Sequence, residues 1–227
     1  MDAILPAAGL ATRMRGLPKF LLPCSTDYTT LLERHITSLL EVCERVWIAV
    51  RPETAALVDI LQIAQDRVIM VNLRTETMSE TVLKVIGLSM AESFVVVMPD
   101  TYFLDEQPYE YLGNLEQGMR VAAWNIREDQ IGKLGQIELD INSSKVISSK
   151  DKDPTCDYPF AWGAVAFDRS VSEHIDPASP HIGFIIPEVI RSGKKISAKV
   201  MEGSYFDCGT PREYFAMLAE VTMEDGQ

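Results

Sequence analysis

Cysteine and histidine are scarce in this sequence of 227 residues, which has four cysteines and three histidines. They lie far apart, with no Cys-x-x-Cys pair and no close histidine spacing: Cys24, Cys43, Cys156, Cys208, His35, His174 and His181. This distribution argues against a zinc site. Free thiols in a reducing compartment are the simplest interpretation of the cysteines.

Long apolar runs and positive charge are also in short supply. The apolar run at 94–98 is far too short to cross a bilayer. No basic segment followed by a long apolar one opens the sequence, so we expect no signal peptide and a cytoplasmic protein. Lysine and arginine total 21 against 33 acidic residues, a formal net charge of −12. Nucleic-acid binders rely on basic surfaces. We therefore expect neither a membrane nor a nucleic acid as a partner.

The glycine motifs of several well-known sites are missing as well. The sequence contains no Gly-x-x-x-x-Gly-Lys-Ser/Thr, no Gly-x-Gly-x-x-Gly and no Gly-x-Ser-x-Gly. These absences exclude a P-loop, a dinucleotide fingerprint and the nucleophile elbow of a serine hydrolase.

The opening stretch, residues 4–23, has a different pattern. A short apolar strand is followed by a loop of small residues, with Arg13 and Lys19 just beyond it. Small side chains let backbone N–H groups approach an anion, and Gly9 can adopt a positive φ without steric cost. The arginine offers a planar fork and the lysine a point charge for phosphate oxygens. This stretch therefore predicts a phosphate site.

Strand-like and helix-like segments alternate through the first hundred residues, as in a parallel sheet covered by helices. We expect strands at 3–6, 45–50, 67–71 and 93–98, and helices from Thr30, from Pro52 and over 79–91. A helix over 108–117 should precede strands at 120–126, 135–139, 145–148, 160–168 and 195–201, with helices over 182–191 and from Thr210. The prediction is one α/β domain over 1–227, a three-layer αβα sandwich with a Rossmann-like mixed sheet. Its nucleotide-binding half would span about 1–105 and its acceptor half about 106–227.

The position of Asp100 suits a metal ion, and a second aspartate, Asp207, precedes the last helix. Asp100 follows the strand at 93–98, and ligands of parallel sheets bind at the carboxyl ends of strands. Asp207 lies in Tyr205-Phe206-Asp207-Cys208-Gly209-Thr210-Pro211, just before the last helix. Hard oxygen ligands of this kind hold Mg²⁺. A turn or a helix cap is the ordinary structural role for each aspartate.

Together these elements resemble the sugar-1-phosphate nucleotidylyltransferases, whose opening signature reads Ala-Ala-Gly-x-Gly-Thr-Arg-Met/Leu and then Pro-Lys. The agreement covers Ala7, Ala8, Gly9, Thr12, Arg13, Met14, Pro18 and Lys19. It extends to the strand-end Asp100 and to the aromatic-x-Asp-x-Gly-Thr-Pro element at 205–211. Ala11 replaces the second glycine of the family loop, Pro99 replaces the usual glycine before the aspartate, and the Arg-to-Lys spacing is short.

The resemblance implies the nucleotide-diphospho-sugar transferase fold and the reaction NTP + sugar 1-phosphate → NDP-sugar + pyrophosphate. It implies Mg²⁺ bound by Asp100 and Asp207, with Arg13 on the leaving phosphates and Lys19 on the transferring phosphate. It assigns nucleotide binding to Leu5, Ala7, Ala8, Gly9, Thr12, Arg13, Ser79 and Glu80. It assigns sugar-phosphate binding to Lys152, Gly163 and Glu188. Lys150 is the second candidate for the role of Lys152. Homo-oligomeric assembly stays open.

Two alternatives also stay open. Phosphocholine cytidylyltransferases share the opening motif, and Trp162, Tyr158 and Phe160 could form an aromatic cage for choline. A catalytically silent NDP-sugar-binding regulatory subunit is the other alternative. The presence of Lys19, Asp100 and Asp207 speaks against it, because a protein that only binds is free to lose them.

Overall fold

The computed structural model describes residues 1–9, 14–59, 61, 63 and 66–224, with the side chains of 222–224 left out. A nine-stranded mixed sheet runs through it in the order β3-β2-β1-β4-β9-β6-β10-β8-β7. The strands are β1 Asp2–Ala7, β2 Arg45–Val50, β3 Val68–Asn72, β4 Ser93–Val97, β6 Met119–Asn125, β7 Gly135–Asp140, β8 Lys145–Asp151, β9 Phe160–Asp168 and β10 Ile196–Val200.

Strands β1 to β4 are mutually parallel, whereas β9 enters the sheet antiparallel between β4 and β6. The register sets Ile4 beside Trp47 on one side and Val96 on the other. Because β1 is buried on both faces, its residues form a continuous apolar run rather than an alternating one. The carboxyl ends of β1 and β4 therefore open at the same edge of the sheet.

Helices cover both faces of the sheet: α1 Leu31–Val42, α2 Pro52–Asp59, α3 Met78–Leu88, α4 Tyr109–Gly113, α5 Ile185–Ser192 and α6 Pro211–Glu224. Leu5 and Leu39 belong to one apolar cluster, and Ile4, Val85 and Val189 belong to another on the opposite face. Two cores separated by a sheet make a three-layer αβα sandwich, as predicted. No described helix has the length and apolar character that a membrane crossing requires.

The start of α1 follows the capping signal in the sequence. The Thr30 hydroxyl accepts a hydrogen bond from the Glu33 amide at 3.2 Å, and the Glu33 carboxylate accepts one from the Thr30 amide at 2.9 Å. These reciprocal bonds satisfy two backbone donors that a helix start leaves free. The capping box is confirmed.

Three predicted helices differ from the structure in extent, and the first of them, expected over 79–91, is α3 and ends at Leu88. The helix expected over 108–117 ends at Gly113, where a Cβ would lie 2.9 Å from the Val42 Cβ. The segment expected as one helix over 182–191 begins as a 3₁₀ turn, Ile182–Phe184, before α5 starts.

A small second sheet joins distant parts of the chain, and the sequence patterns did not predict it. Its strands, β5 Thr101–Phe103 and β11 Tyr205–Asp207, pair antiparallel, with Asp207 opposite Thr101. The Cys208 amide also donates to the Asp100 carbonyl at 2.9 Å. This pairing brings together two aspartates that are more than a hundred residues apart in the sequence.

Candidate active site

A cleft of about 390 Å³ opens where β1 and β4 end, between the two halves of the sheet. Its lining combines residues from both halves of the chain: Gly9, Lys19, Met78, Met98, Asp100, Lys133, Leu134, Gly135, Asp151, Lys152, Trp162, His181, Tyr205 and Asp207. Open α/β sheets bind ligands at this edge. The position and the mixed charges make this cleft the candidate active site.

Lys19 and Asp100 form an ion pair at one end of the cleft. The Lys19 Nζ lies 2.6 Å from the Asp100 Oδ2, and each side chain is 21% exposed. Lys19 begins a 3₁₀ turn, Lys19–Leu21, directly after Pro18, whose extended conformation directs the chain into that turn. The ammonium is thereby fixed beside a carboxylate at the end of β4.

Asp207 faces the same end of the cleft from β11. Burial and the nearby charge of Asp100 raise the pKa of Asp207 to about 6, while Lys19 acts in the opposite direction. Its Oδ1 accepts a hydrogen bond from the Gly209 amide at 3.0 Å. A Cβ at Gly209 would lie 2.7 Å from that same oxygen, so glycine allows the loop to pass close to the carboxylate.

These two aspartates fit a magnesium ion. The described residues contain no group of three or more His, Cys, Asp or Glu side chains able to hold a metal. Mg²⁺ is commonly held by one or two carboxylates, with waters and substrate phosphates completing its octahedron. Two electrostatically coupled carboxylates beside a phosphate-type loop match that donor set.

Gly9, just after β1, borders the cleft. Ala7 and Gly9 line an adjoining cavity of about 380 Å³ that shares Lys19 and Asp100 with the cleft. Leu5 is fully buried in the core, so its side chain supports the strand. The Ala8 carbonyl accepts a hydrogen bond at 2.8 Å from Nε of Arg51, a residue that no motif singled out.

Four residues of the opening motif, including the predicted phosphate ligands Thr12 and Arg13, lie outside the described residues. Ser79 and Glu80 fall at the start of α3 and do not line the cleft. Ser79 is buried, and the Glu80 carboxylate accepts from the Glu76 amide at 2.8 Å and pairs with Lys84 at 2.8 Å. The Glu80 side chain therefore stabilises the helix start in this conformation.

On the acceptor side the structure separates the two candidate lysines. Lys152 lines the cleft, with its Nζ 2.6 Å from the Nε2 of His181, and its backbone has a φ of 52°. Lys150 lies 3.4 Å from the Asp153 carboxylate and 5.7 Å from the centre of the Tyr158 ring. Of these two lysines, Lys152 lines the cleft and Lys150 does not.

The other two residues predicted for the sugar phosphate lie elsewhere. A Cβ at Gly163 would come within 2.8 Å of the Trp124 and Tyr205 rings, so this glycine makes room for the aromatic core. Glu188 pairs with Arg191 on α5 and lines a separate cleft. The prediction that both contact the sugar therefore finds no support in their positions.

Tyr205, the aromatic residue of the element at 205–211, lines the cleft, whereas several other cleft residues were missed by the sequence motifs: Lys133, Gly135, Asp151 and His181. Asp151 stands immediately before Lys152, and burial raises the pKa of its carboxyl. That adjacency was the one signal available in the sequence. The others reach the cleft through strand pairing and loops that local patterns do not describe.

The fold and this cleft are those of a nucleotidyltransferase, as a family comparison shows. Residues 3–175 match the model of the MobA-like NTP transferase domain. The chain therefore belongs to that family. No curated protein matches its sequence.

Solved structures share the fold over nearly the whole chain at low sequence identity. A UDP-glucose pyrophosphorylase complexed with UDP-glucose is 20% identical with a TM-score of 0.80, over 98% of both chains. A UTP-bound UGPase from Acinetobacter baumannii is 16% identical with a TM-score of 0.80, over 98% of this chain and 93% of the other. The inositol-1-phosphate CTP transferase from T. maritima is 14% identical with a TM-score of 0.75, over 97% and 96%.

Proposed function

We propose that this protein transfers a nucleoside monophosphate from an NTP to a sugar 1-phosphate or a related polyol phosphate, releasing pyrophosphate. The observation that carries the proposal is the placement of Lys19, Asp100 and Asp207 at one end of a cleft that holds Lys152 at its acceptor side. The names of the similar structures, which include UDP-glucose and inositol 1-phosphate, agree with this substrate class.

The acceptor phosphate oxygen attacks the α-phosphorus of the nucleotide in line, and pyrophosphate leaves. Such a reaction depends on positioning and on charge neutralisation more than on covalent chemistry. Lys152 orients the acceptor phosphate, while Lys19 stabilises negative charge on the transferring phosphoryl group. Asp100 and Asp207 would hold Mg²⁺, which supplies Lewis-acid stabilisation at the α-phosphate when it is bound. Arg13 would neutralise the leaving phosphates.

The ion pair between Lys19 and Asp100 also fixes the position of the lysine before a substrate binds. Lys19 is paired with Asp100 at 2.6 Å, so its ammonium is already oriented before a nucleotide arrives. Phosphate oxygens compete for the ammonium, and the Asp100 carboxylate would then be available to hold Mg²⁺ together with Asp207. Lys19 and Asp100 would each keep an oppositely charged partner, which lowers the cost of desolvating them.

The choline alternative is less well supported. An aromatic cage needs several ring faces around the ammonium. Of the three candidate rings, only Trp162 lines the cleft, because Phe160 packs in the core and the Tyr158 hydroxyl donates to Ser148 at 2.9 Å. Lys133 and Lys152 also add positive charge to the cleft, which disfavours a quaternary ammonium. The assembled lysine and aspartates likewise favour an enzyme over a silent subunit.

Pyrophosphate release tests the proposal. The purified chain should be incubated with each NTP against glucose 1-phosphate, myo-inositol 1-phosphate and phosphocholine, with Mg²⁺ and with a chelator. We expect a Mg²⁺-dependent signal with a polyol phosphate. If no combination releases pyrophosphate and the folded protein still binds an NDP-sugar, the protein is instead the regulatory subunit of the second alternative. An acidic chain with free cysteines that uses NTPs also fits a cytoplasmic protein.

A further inference from the structure

The indole of Trp162 is held in the cleft wall by two glycines. Trp162 lies in β9 and is 8% exposed. A Cβ at Gly135 would collide with its Nε1, and a Cβ at Gly183 would collide with its six-membered ring. Only residues without side chains leave space for the ring at these two positions. The indole therefore has a fixed orientation rather than a choice of several.

The polar atom of this fixed ring has no partner. Trp162 Nε1 is buried and makes no hydrogen bond within the described residues. The Asp151 Oδ2 is also buried and unpartnered, and a Cβ at Gly135 would lie 2.6 Å from the other oxygen of that carboxylate. The unpartnered Trp162 donor and the Asp151 carboxylate, one of whose oxygens is unpartnered, thus border the same glycine in the lining of the cleft. Buried polar groups normally find partners, so this pair calls for a ligand.

We propose that Trp162 is a specificity-determining residue, whose indole N–H donates a hydrogen bond to a hydroxyl oxygen of the acceptor beside the Asp151 carboxylate. The inference rests on the proposed function and names its acceptor class. A hydroxyl can accept from the indole and donate to the carboxylate at once. A trimethylammonium group can do neither. The pair therefore selects phosphorylated polyols, such as sugar or cyclitol phosphates, over phosphocholine.

The substitution Trp162→Phe keeps an aromatic ring and removes the N–H. We expect it to raise the KM for glucose 1-phosphate or myo-inositol 1-phosphate about tenfold, with the KM for the NTP unchanged. The matched control is Trp47→Phe, because the Trp47 N–H donates to Asp2 at 2.8 Å at the opposite edge of the sheet. This control should leave both constants at the wild-type value.

Analogues of the acceptor that each lack one hydroxyl identify the partner atom. One of them should bind the wild type and Trp162→Phe equally, because either change removes the same hydrogen bond. Equilibrium dialysis of glucose 1-phosphate and myo-inositol 1-phosphate gives the same comparison without turnover. If no pair of substrates releases pyrophosphate, the proposed function fails, while dialysis still decides the role of Trp162.

Two results would overturn the inference. One is a Trp162→Phe protein that binds every polyol phosphate as tightly as the wild type does. The other is a wild type that prefers phosphocholine. A variant with an altered melting temperature is still informative, since loss of a single hydroxyl contact shows as a selective change across the analogues, and general damage does not.

Discussion

Acid should weaken this protein through His35, a buried histidine that anchors the strand leading out of the active site. His35 is 1% exposed, and its Nε2 lies 2.9 Å from the Thr101 carbonyl, which can only accept. The proton is therefore on Nε2, and Nδ1 accepts from the Tyr109 hydroxyl at 2.7 Å. Burial lowers the pKa of His35 from 6.5 to about 4.

The sign and the size of the effect follow from proton linkage. Between pH 6.5 and pH 4 the unfolded chain binds a proton at this site and the folded chain does not, so stability falls as the pH falls. The full difference of pKa corresponds to about 3 kcal/mol of unfolding free energy. Between pH 7 and pH 5 the loss from His35 alone is about 2 kcal/mol.

The assay is urea denaturation of the wild type and of His35→Gln at pH 8, 7, 6 and 5. Glutamine can still donate to the Thr101 carbonyl, but it does not titrate. The wild type should therefore lose about 2 kcal/mol more than the variant between pH 7 and 5, and the two should run parallel between pH 7 and 8. Equal slopes in the acid range would refute the reasoning, because other titrating groups are common to both proteins.

Three further predictions concern the cleft and its support. Lys19→Gln should lower kcat by roughly 100-fold to 1,000-fold at saturating substrates, as loss of charge stabilisation does, whereas Lys84→Gln on α3 should not. His181→Ala should raise the KM for the acceptor about fivefold, because Lys152 loses its contact with the imidazole. His181→Gln should return this KM to the wild-type value, since glutamine can accept a hydrogen bond from the Lys152 ammonium. Gly163→Ala should destabilise the fold by about 1–3 kcal/mol against the aromatic rings, while Gly87→Ala, in open space on α3, should not; thermal unfolding compares them.

Local signals in the sequence predicted the main elements well. The capping box at Thr30 and the buried run of β4 are set by neighbours within a few residues, and both are found in the structure. The mixed sheet of the three-layer sandwich was predicted because alternating strands and helices give way to consecutive strands after Asp100. The family was identified from motifs that hold the backbone close to phosphates, and the match over residues 3–175 confirms it.

The rest depends on contacts between distant segments. The strands β5 and β11 have three residues each, too few for a periodic pattern, and their pairing spans about a hundred residues. Gly135 and Gly163 both stand in strands, yet only the tertiary packing shows that the first lines the cleft and the second faces the core. Tertiary structure likewise shows that Lys152 lines the cleft and Lys150 does not. Lys152 follows directly after β8 and has a left-handed backbone conformation.

The charge of the whole chain and the charge of the cleft have opposite consequences for the substrate. A formal net charge of −12 repels a polyanionic nucleotide at long range. The cleft lining is formally neutral by contrast, because Lys19, Lys133 and Lys152 balance Asp100, Asp151 and Asp207, and each charge has a larger effect there because the dielectric is lower than in water. Salt should then screen the repulsion outside the cleft more than the attraction inside it. Added salt should consequently reduce the rate of nucleotide association less than it does for a protein with a basic surface.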